Sequence, residues 1–210
     1  MRMFHPTPTP QPLPFDHLYS GMSARESAGP IPLSGAAVVQ FDQLLHEIHA
    51  DAPRVDDDRL QQLAAWLLTL PTEQARDVID SRLRRVQELR AMLDDADWDT
   101  DDASRARIAK LLAYIDREDD LIADRTPLLG QLDDVLLIEL AWPAFADEAE
   151  DYRDYCAYRQ VEHPPGDAAL KRAAWVRDRL DELALWQHML WVRGQHYAPW
   201  NLPRMLFRVS

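Results

Sequence analysis

The chain has 210 residues, and its apolar content of 47% excludes a disordered or fibrous protein. Its formal net charge is −13 at pH 7, and residues 91–160 hold nineteen acidic residues against seven basic ones. Such a negative field repels nucleic-acid backbones and anionic membranes, so we expect neither as a partner. A protein partner with basic character, or cations, would fit the charge, and solubility alone is the alternative explanation.

A single cysteine, Cys156, excludes an internal disulfide and fits a reducing compartment. The N-terminus has no apolar run of signal-peptide length, and no stretch has the uninterrupted apolar length of a membrane span. We therefore expect a cytoplasmic protein.

Residues 1–35 contain seven of the fifteen prolines and three of the six glycines. This composition predicts a disordered, extended tail with polyproline character. The run TPTPQPLP inside it is either a ligand for an aromatic groove or a plain linker. A single helical domain is expected to follow over residues 36–210.

Apolar residues then recur with the period of an amphipathic helix. The first four stripes are Phe41, Leu44, Leu45 and Ile48; Leu60, Leu63, Leu67 and Leu70; Ile79, Leu83, Val86 and Leu89; Ile108, Leu111, Leu112 and Ile115. Later elements are a helix from Thr126-Pro127 to about Pro143, a helix over about 145–160, a turn at HPPG (163–166), and a helix over about 167–193. The expected fold is all-α, an irregular bundle of six or seven helices.

Two smaller patterns predict structure and not chemistry. Asp95, Asp97, Asp99 and Asp101 alternate like the opening of a calcium loop, but the glycine and final glutamate are missing, so they predict an acidic approach to the next helix. His46 and His49 have no third metal ligand nearby and predict a solvated helix face.

A basic face near the C-terminus is formed by Arg172, Arg177 and Arg179 with Trp175. Its charge is opposite to that of the acidic middle of the chain. We expect the two to pair, either within one chain or with a second copy.

The stretch DREDDLIADRTPLLGQLDDVLL (116–137) places acidic residues in an apolar setting. On a helical wheel, Asp133 and Glu139 fall inside the apolar arc, and Asp134 falls on the other side near Gly130. A buried carboxylate needs a partner, which is an arginine, backbone N–H groups, a divalent cation or a second carboxyl. Asp120 and Asp124, four residues apart, are expected to converge on the same place.

These options leave three interpretations of the segment. In the first, Asp120 and Asp124 shape the connection between two helices and Asp133 pairs with an arginine. In the second, Asp120, Asp124, Asp133 and Asp134 bind Mg or Mn. In the third, the segment is a partner-binding surface.

The order Asp120-Leu121-Ile122-Ala123-Asp124, Pro127-Leu128-Leu129-Gly130 and Leu132-Asp133-Asp134 resembles the signature of the YkvA-like family, a bacterial domain of unknown function. That signature is approximately D-L-I-P-D-x-x-P-v-x-G-x-L-D-D. The resemblance implies a helical core at about 111–150 and marks the four aspartates, with Pro127, Gly130 and Leu132, as its signature positions. It implies no reaction.

The chain departs from the signature at two places. Ala123 stands where the family has its second proline, and Arg125-Thr126 replaces an apolar pair. Many members look like small membrane-associated helical proteins, and these polar replacements argue against that association here.

Three function hypotheses follow. The first is a non-enzymatic interaction or adaptor module, with a protein partner or a homodimer. The second is a metal-dependent hydrolase or lyase that uses the four aspartates with Mg or Mn, because helical bundles build metal sites from inward carboxylates. The third is a peripheral membrane-associated protein with an apolar C-terminal tail. No other cofactor is expected.

Overall fold

The computed structural model describes residues 10–15, 31–117, 121–123 and 126–194. Within these ranges the regular elements are seven α-helices and one short 3₁₀ helix, without a strand, which confirms the predicted all-α class. They are α1 (Gly35–Ile48), α2 (Asp57–Thr69), α3 (Thr72–Asp94), α4 (Asp102–Ile115), α5 (Leu132–Ala141), the 3₁₀ helix (Trp142–Ala144), α6 (Ala146–Glu162) and α7 (Ala168–Gly194). None of these helices combines the length and the apolar content that a bilayer crossing requires.

The predicted apolar stripes account for the buried faces of the first four helices. Phe41, Leu60, Val86 and Ile108, one from each stripe, are 3% exposed or less. Side-chain caps fix two of the helix starts: the Asp56 carboxylate accepts from the backbone N–H of Arg59, and Asp101 caps α4. These caps satisfy N–H groups that have no partner inside the helix.

The predicted start of the fifth helix is wrong by five residues. α5 begins at Leu132, and residues 126–131 form a turn in which the N–H of Gly130 donates to the carbonyl of Thr126 at 2.8 Å. Leu128 has a φ of 66°, in the left-handed region that a regular helix of L-residues cannot continue through. The predicted break near Pro143 is confirmed, because α5 ends at Ala141.

The chain divides into two compact units. The central unit consists of Thr9–Ala91 and Thr100–Asp147, and the C-terminal unit consists of Met92–Asp99 and Glu148–Ser210 with Met1–Pro8. In the central unit, α1, α4 and α5 pack against one another. α5 is buried on nearly every side, since eight of its nine residues from Leu132 to Leu140 are buried and only Glu139 is partly exposed.

The C-terminal unit has an aromatic core. The rings of Tyr152, Tyr155 and Trp175 lie around Trp98, with centroids 5.5 to 5.9 Å from the Trp98 ring. The predicted turn at 163–166 separates α6 from α7, and Gly166 takes a φ of 108° there. A Cβ on Gly166 would lie 2.9 Å from the Leu170 side chain, so glycine suits this position on both counts.

Two pieces of the predicted N-terminal tail are described, residues 10–15 and 31–34. Leu13, Phe15 and Ile31 are buried there, at 7%, 7% and 8% exposure. The predicted disorder of the remainder of 1–35 falls outside the described residues. The described pieces belong to the central unit.

Candidate functional site: the buried carboxylates and the surfaces around them

Asp133 is fully buried in the first turn of α5 and receives several donors. Its Oδ2 accepts from the hydroxyl of Tyr114 at 2.9 Å and from the backbone N–H groups of Leu121 and Ile122 at 3.1 and 3.2 Å. The positive end of the α5 dipole favours the same negative charge. One carboxylate thus joins α4, the segment 121–123 and α5.

The sequence prediction for this segment is confirmed in part. Asp133 lies in the apolar arc and has backbone N–H groups among its donors, which is one of the partner types the sequence required. The outward position predicted for Asp134 is wrong, since this residue is only 5% exposed. The reason is that α5 is surrounded by other elements, so that one apolar arc does not define its buried side.

The predicted metal site includes residues outside the described ranges. Asp120 and Asp124 both fall there, so their position relative to Asp133 and Asp134 is not described. Within the described ranges, no group of three or more His, Cys, Asp or Glu residues is placed to hold a metal ion. The Mg or Mn site therefore stays a prediction.

The other signature positions form the turn before α5. Pro127 is exposed, and Gly130 is buried and donates its N–H to Thr126. Leu132 begins α5 at 1% exposure. These residues set the point at which the helix starts and so place Asp133 against its donors.

Glu139, the second carboxylate of the apolar arc, pairs with two arginines of α3. Its Oε2 lies 3.0 Å from Nη1 of Arg85 and 3.3 Å from Nε of Arg82, and the side chains of Arg82 and Glu139 are 3% and 14% exposed. Arg85 also stacks on Trp142, with Cζ 4.6 Å from the ring centroid. Burial lowers the pKa of Arg85, and the charge of Glu139 opposes that effect.

Arg82 also holds the N-terminal piece, which the sequence analysis did not foresee. Its Nη2 donates to the backbone carbonyl of Gln11, and the Arg59 guanidinium lies 5.3 Å from the centroid of Phe15. The Gln61 amide binds Ile31 twice, accepting from its N–H at 3.0 Å and donating to its carbonyl at 2.8 Å. A signal for Arg82 existed, because it lies between Ile79 and Val86 on the buried face of α3.

The acidic residues before α4 have two roles. Asp101 accepts from the N–H groups of Ala103 and Ser104 at 2.9 and 3.0 Å, which confirms the predicted helix approach. Within the C-terminal unit, Arg159 donates to Asp95 at 3.1 Å and to Asp97 at 3.0 Å. The pairing of Asp95 and Asp97 with Arg159 could not be predicted from the sequence, because Arg159 is distant from both along the chain.

The predicted pairing of the basic face with acidic residues of the same chain is confirmed in the C-terminal unit. Arg172 donates to Asp99 at 3.2 Å, and Trp175 Nε1 donates to Asp154 at 2.7 Å. Arg179, at 4% exposure, also pairs with Asp154. These contacts attach α7 to α6 and to the segment that contains Asp99.

The predicted solvated face for His46 and His49 is wrong. His46 contacts the carbonyls of Asp42 and Ala52 at 2.6 and 3.0 Å, and its side chain is 18% exposed. Nδ1 of His49 lies 2.8 Å from the carbonyl of Leu140. His46 thus contacts a carbonyl within α1 and one in the segment after it, and His49 contacts a carbonyl in the last turn of α5, where carbonyls lack helical partners.

The pairing of Asp95 and Asp97 predicts a dependence of stability on acid pH. Burial would raise the pKa of Asp95, but hydrogen bonds from Arg159 and the Asp97 N–H hold this pKa below its ordinary value of 3.8. Lys171, then Arg159, lowers the pKa of Asp97. Because the folded pKa values are depressed, this stabilisation is complete above the unfolded value and is lost as the pH falls through the folded values.

Arg159→Gln is therefore expected to shift the pKa of Asp95 towards its ordinary value and to weaken this acid dependence. Carbon-detected NMR titration of the carboxyl groups between pH 6 and 2, with urea unfolding over the same range, measures both effects. Arg177→Gln is the matched control, since Arg177 is an exposed residue of the same unit. An unchanged Asp95 titration in Arg159→Gln would contradict the assigned cause.

An exposed apolar face runs along α7. Val176, Leu180, Leu190 and Trp191 are 43%, 49%, 39% and 63% exposed. Leu185, at 60% exposure, lies on a different side of the helix. The predicted apolar tail, 195–210, falls outside the described residues.

Comparison with family models, with curated proteins and with solved structures finds no match for this chain. The function of this chain is therefore inferred from the contacts and exposures of its own residues. Two features stand out among those described: acidic groups engaged inside the protein, and apolar side chains presented at its surface.

Proposed function

We propose that this chain is a non-enzymatic interaction or adaptor protein that binds a helix of a protein partner on the exposed face of α7. The observation that carries the proposal is the exposure of Val176, Leu180, Leu190 and Trp191 on one side of a single helix. Contiguous apolar side chains at the surface are typical of interaction sites. Apolar residues at helical spacing are typical of helix-to-helix recognition.

The spacing along α7 supports a helical partner. Val176, Leu180, Leu183, Gln187 and Leu190 follow one another at intervals of four, three, four and three residues. This is the heptad spacing of a two-helix seam, in which a single polar residue such as Gln187 sets the register. A second copy of α7 would make the protein a homodimer, and a helix of another protein would make it an adaptor.

The burial of the acidic groups supports an interaction protein over an enzyme. Asp133 and Asp134 are 0% and 5% exposed, so neither carboxylate is offered to a dissolved substrate. A hydrolase or lyase would need its carboxylates in a cleft open to water. The metal-dependent alternative, with Asp120 and Asp124 added to this pair, stays a prediction.

We also propose that the segment from Asp120 to Asp134 is a YkvA-like element with a structural role. The support is the agreement between the signature order and the contacts in the described part of it. Asp133 binds the N–H groups of Leu121 and Ile122, which belong to the same signature. The signature would then specify hydrogen bonds among its own residues that connect two consecutive helices.

Charge substitution on α7 tests the interaction function. Leu180→Glu/Leu190→Glu is expected to weaken association by about a hundredfold or more, because each glutamate would have to be buried in an apolar interface. Sedimentation velocity over a range of concentrations reports a homodimer, and capture of partners by the wild type and the variant reports an adaptor. Leu185→Glu, on another side of α7, is the matched control and should associate like the wild type.

Two outcomes would count against the proposal. The first is a wild-type chain that neither self-associates nor captures a protein in a manner that depends on Leu180 and Leu190. The second is equal loss of association in Leu185→Glu and in the double variant, which would point to a general effect of added charge.

A further inference from the structure

The central unit holds residues 10–15 of its own chain in the way that a receptor holds a peptide. These residues lie outside any helix or strand and end in a turn at residues 14–15, and Leu13 and Phe15 are both 7% exposed. The contacts that hold the stretch come from α2 and α3: Arg59 lies over Phe15, and Arg82 donates to the carbonyl of Gln11. Main-chain hydrogen bonds together with side-chain anchors are the usual means of binding an extended peptide.

The donor that meets this stretch is fixed in place by the body of the protein. Nε of Arg82 lies 3.3 Å from Oε2 of Glu139. Nη1 of Arg82 donates to the carbonyl of Val78 and to the hydroxyl of Ser81, both at 3.1 Å. Only Nη2 is directed to Gln11. The guanidinium is therefore oriented by contacts that do not involve the bound stretch, and such preorganisation reduces the cost of binding.

The bound stretch has the chemistry of a peptide that is recognised through its carbonyls. Pro10, Pro12 and Pro14 alternate with the other residues, so every second position has no N–H to donate. Proline also fixes φ, which lowers the entropy lost on binding. The apolar side chains between the prolines, Leu13 and Phe15, supply the buried anchors.

A second stretch is held by the same kind of contact. Gln61 of α2 pairs its side-chain amide with both the N–H and the carbonyl of Ile31. In sequence, residues 16–30 lie between the two held stretches. Arg82 and Gln61 thus each bind main-chain groups of a segment that lies outside any helix or strand. Such contacts recognise the backbone and do not depend on which side chain the segment carries.

We propose that the seat of residues 10–15 is a peptide-binding site for a proline-rich segment of a partner protein, with this chain's own Pro-Gln-Pro-Leu-Pro-Phe as the resident competitor. The seat lies in the central unit and is formed by Arg82, Arg59 and the surfaces that bury Leu13 and Phe15. It is independent of the exposed face of α7 and would stand if that face bound nothing. The partner segment must offer a carbonyl to Arg82 and two apolar anchors, one of them aromatic.

The test uses the full chain and a capped, fluorescent peptide with the sequence of residues 10–15 as the probe. Leu13→Ser/Phe15→Ser weakens the resident stretch and leaves the seat unchanged. This variant is expected to bind the probe about tenfold tighter than the wild type, because occupancy by the resident stretch lowers the apparent affinity. A control peptide with serine in place of its leucine and phenylalanine should not bind, and adding Arg59→Gln to the variant should weaken probe binding several-fold.

A second measurement works on the wild type and does not depend on the folding of any variant. Excess probe is expected to increase the hydrogen exchange of the amides of Leu13 and Phe15, while the exchange of α5 stays the same. The proposal would be overturned if neither the wild type nor Leu13→Ser/Phe15→Ser binds the probe. It would also be overturned if both bind the probe equally and residues 10–15 are not displaced. Conversion of a dimer to monomers by the probe would also overturn it, since a second copy's stretch would then be the natural occupant.

Discussion

Asp133→Asn is expected to lower the free energy of unfolding by about 3 kcal/mol, because hydrogen bonds to a charged acceptor contribute about 1.5–3 kcal/mol each. The oxygen that accepts from Tyr114, Leu121 and Ile122 keeps its position in the variant but loses its charge. An amide group also brings its own donors into a site where donors already converge. The site is fully buried, so water cannot compensate for a lost contact.

The matched control for this prediction is Asp58→Asn. Asp58 is the second residue of α2, as Asp133 is the second residue of α5, but Asp58 is exposed. Both substitutions remove a negative charge from the positive end of a helix dipole, an effect worth about 0.3–1 kcal/mol. Urea unfolding followed by circular dichroism should show the larger loss for Asp133→Asn, and equal losses would mean that the donors contribute nothing.

A double-mutant cycle with Tyr114→Phe separates the hydroxyl from the backbone donors. We expect the two substitutions together to cost less than the sum of their separate costs, by about 0.5–3 kcal/mol, since Tyr114→Phe removes the hydrogen bond that Asp133→Asn weakens. The remaining effect of Asp133→Asn then belongs largely to the N–H groups of Leu121 and Ile122. Additive costs would contradict a direct contact between Tyr114 and Asp133.

The burial of Asp133 was predictable from sequence, because this residue lies in the apolar arc of a regular helix and a buried carboxylate needs donors. Glu139 lies in the same arc, but it is the one residue from Leu132 to Leu140 that is partly exposed, since α5 is surrounded by other elements. The identity of the donors was not predictable. Tyr114 and Arg82 are separated from their partners by 19 and 57 residues, and a single sequence carries no record of such contacts.

The start of α5 shows a different limit. Thr126-Pro127 has the composition of a helix start, but Leu128 takes a left-handed conformation that its residue type does not favour. With this turn in place, Leu129 and Leu132 are packed inside the protein at 6% and 1% exposure. Tertiary packing therefore overrides the local signal, as it often does at element boundaries.

The burial of the N-terminal pieces, residues 10–15 and 31–34, could not be predicted for a related reason. Proline-rich composition correctly indicates that residues 10–15 form no helix, but it does not indicate whether a surface elsewhere binds them. That surface is built by Arg59 and Arg82, which belong to helices that the sequence placed correctly. In contrast, the pairing of the basic face with the acidic middle of the chain could be predicted, because it follows from opposite charge alone. That the partners are Asp99 and Asp154 could not be predicted.

Glu139→Gln is expected to destabilise the central unit by about 3–5 kcal/mol, the usual cost of removing one partner of a buried ion pair. The reason is that Arg82, at 3% exposure, would keep its charge without a neighbouring carboxylate. Arg85 is 11% exposed and stacks on Trp142, so it tolerates the loss better. Thermal and urea unfolding measure the change, and probe binding to the seat of residues 10–15 should weaken in parallel, since Glu139 orients Arg82.

Glu47→Gln is the matched control, because Glu47 pairs with Lys110 at 2.7 Å while both side chains are about half exposed, at 58% and 49%. An exposed ion pair contributes about 0–1 kcal/mol, so this variant should unfold close to the wild type. Replacing both buried partners, in Arg82→Met/Glu139→Leu, should cost less than Glu139→Gln alone, since no unpaired charge is left at Arg82. A double variant less stable than Glu139→Gln would show instead that the contacts of Arg82 with Val78, Ser81 and Gln11, and not its charge balance, dominate the stability of this site.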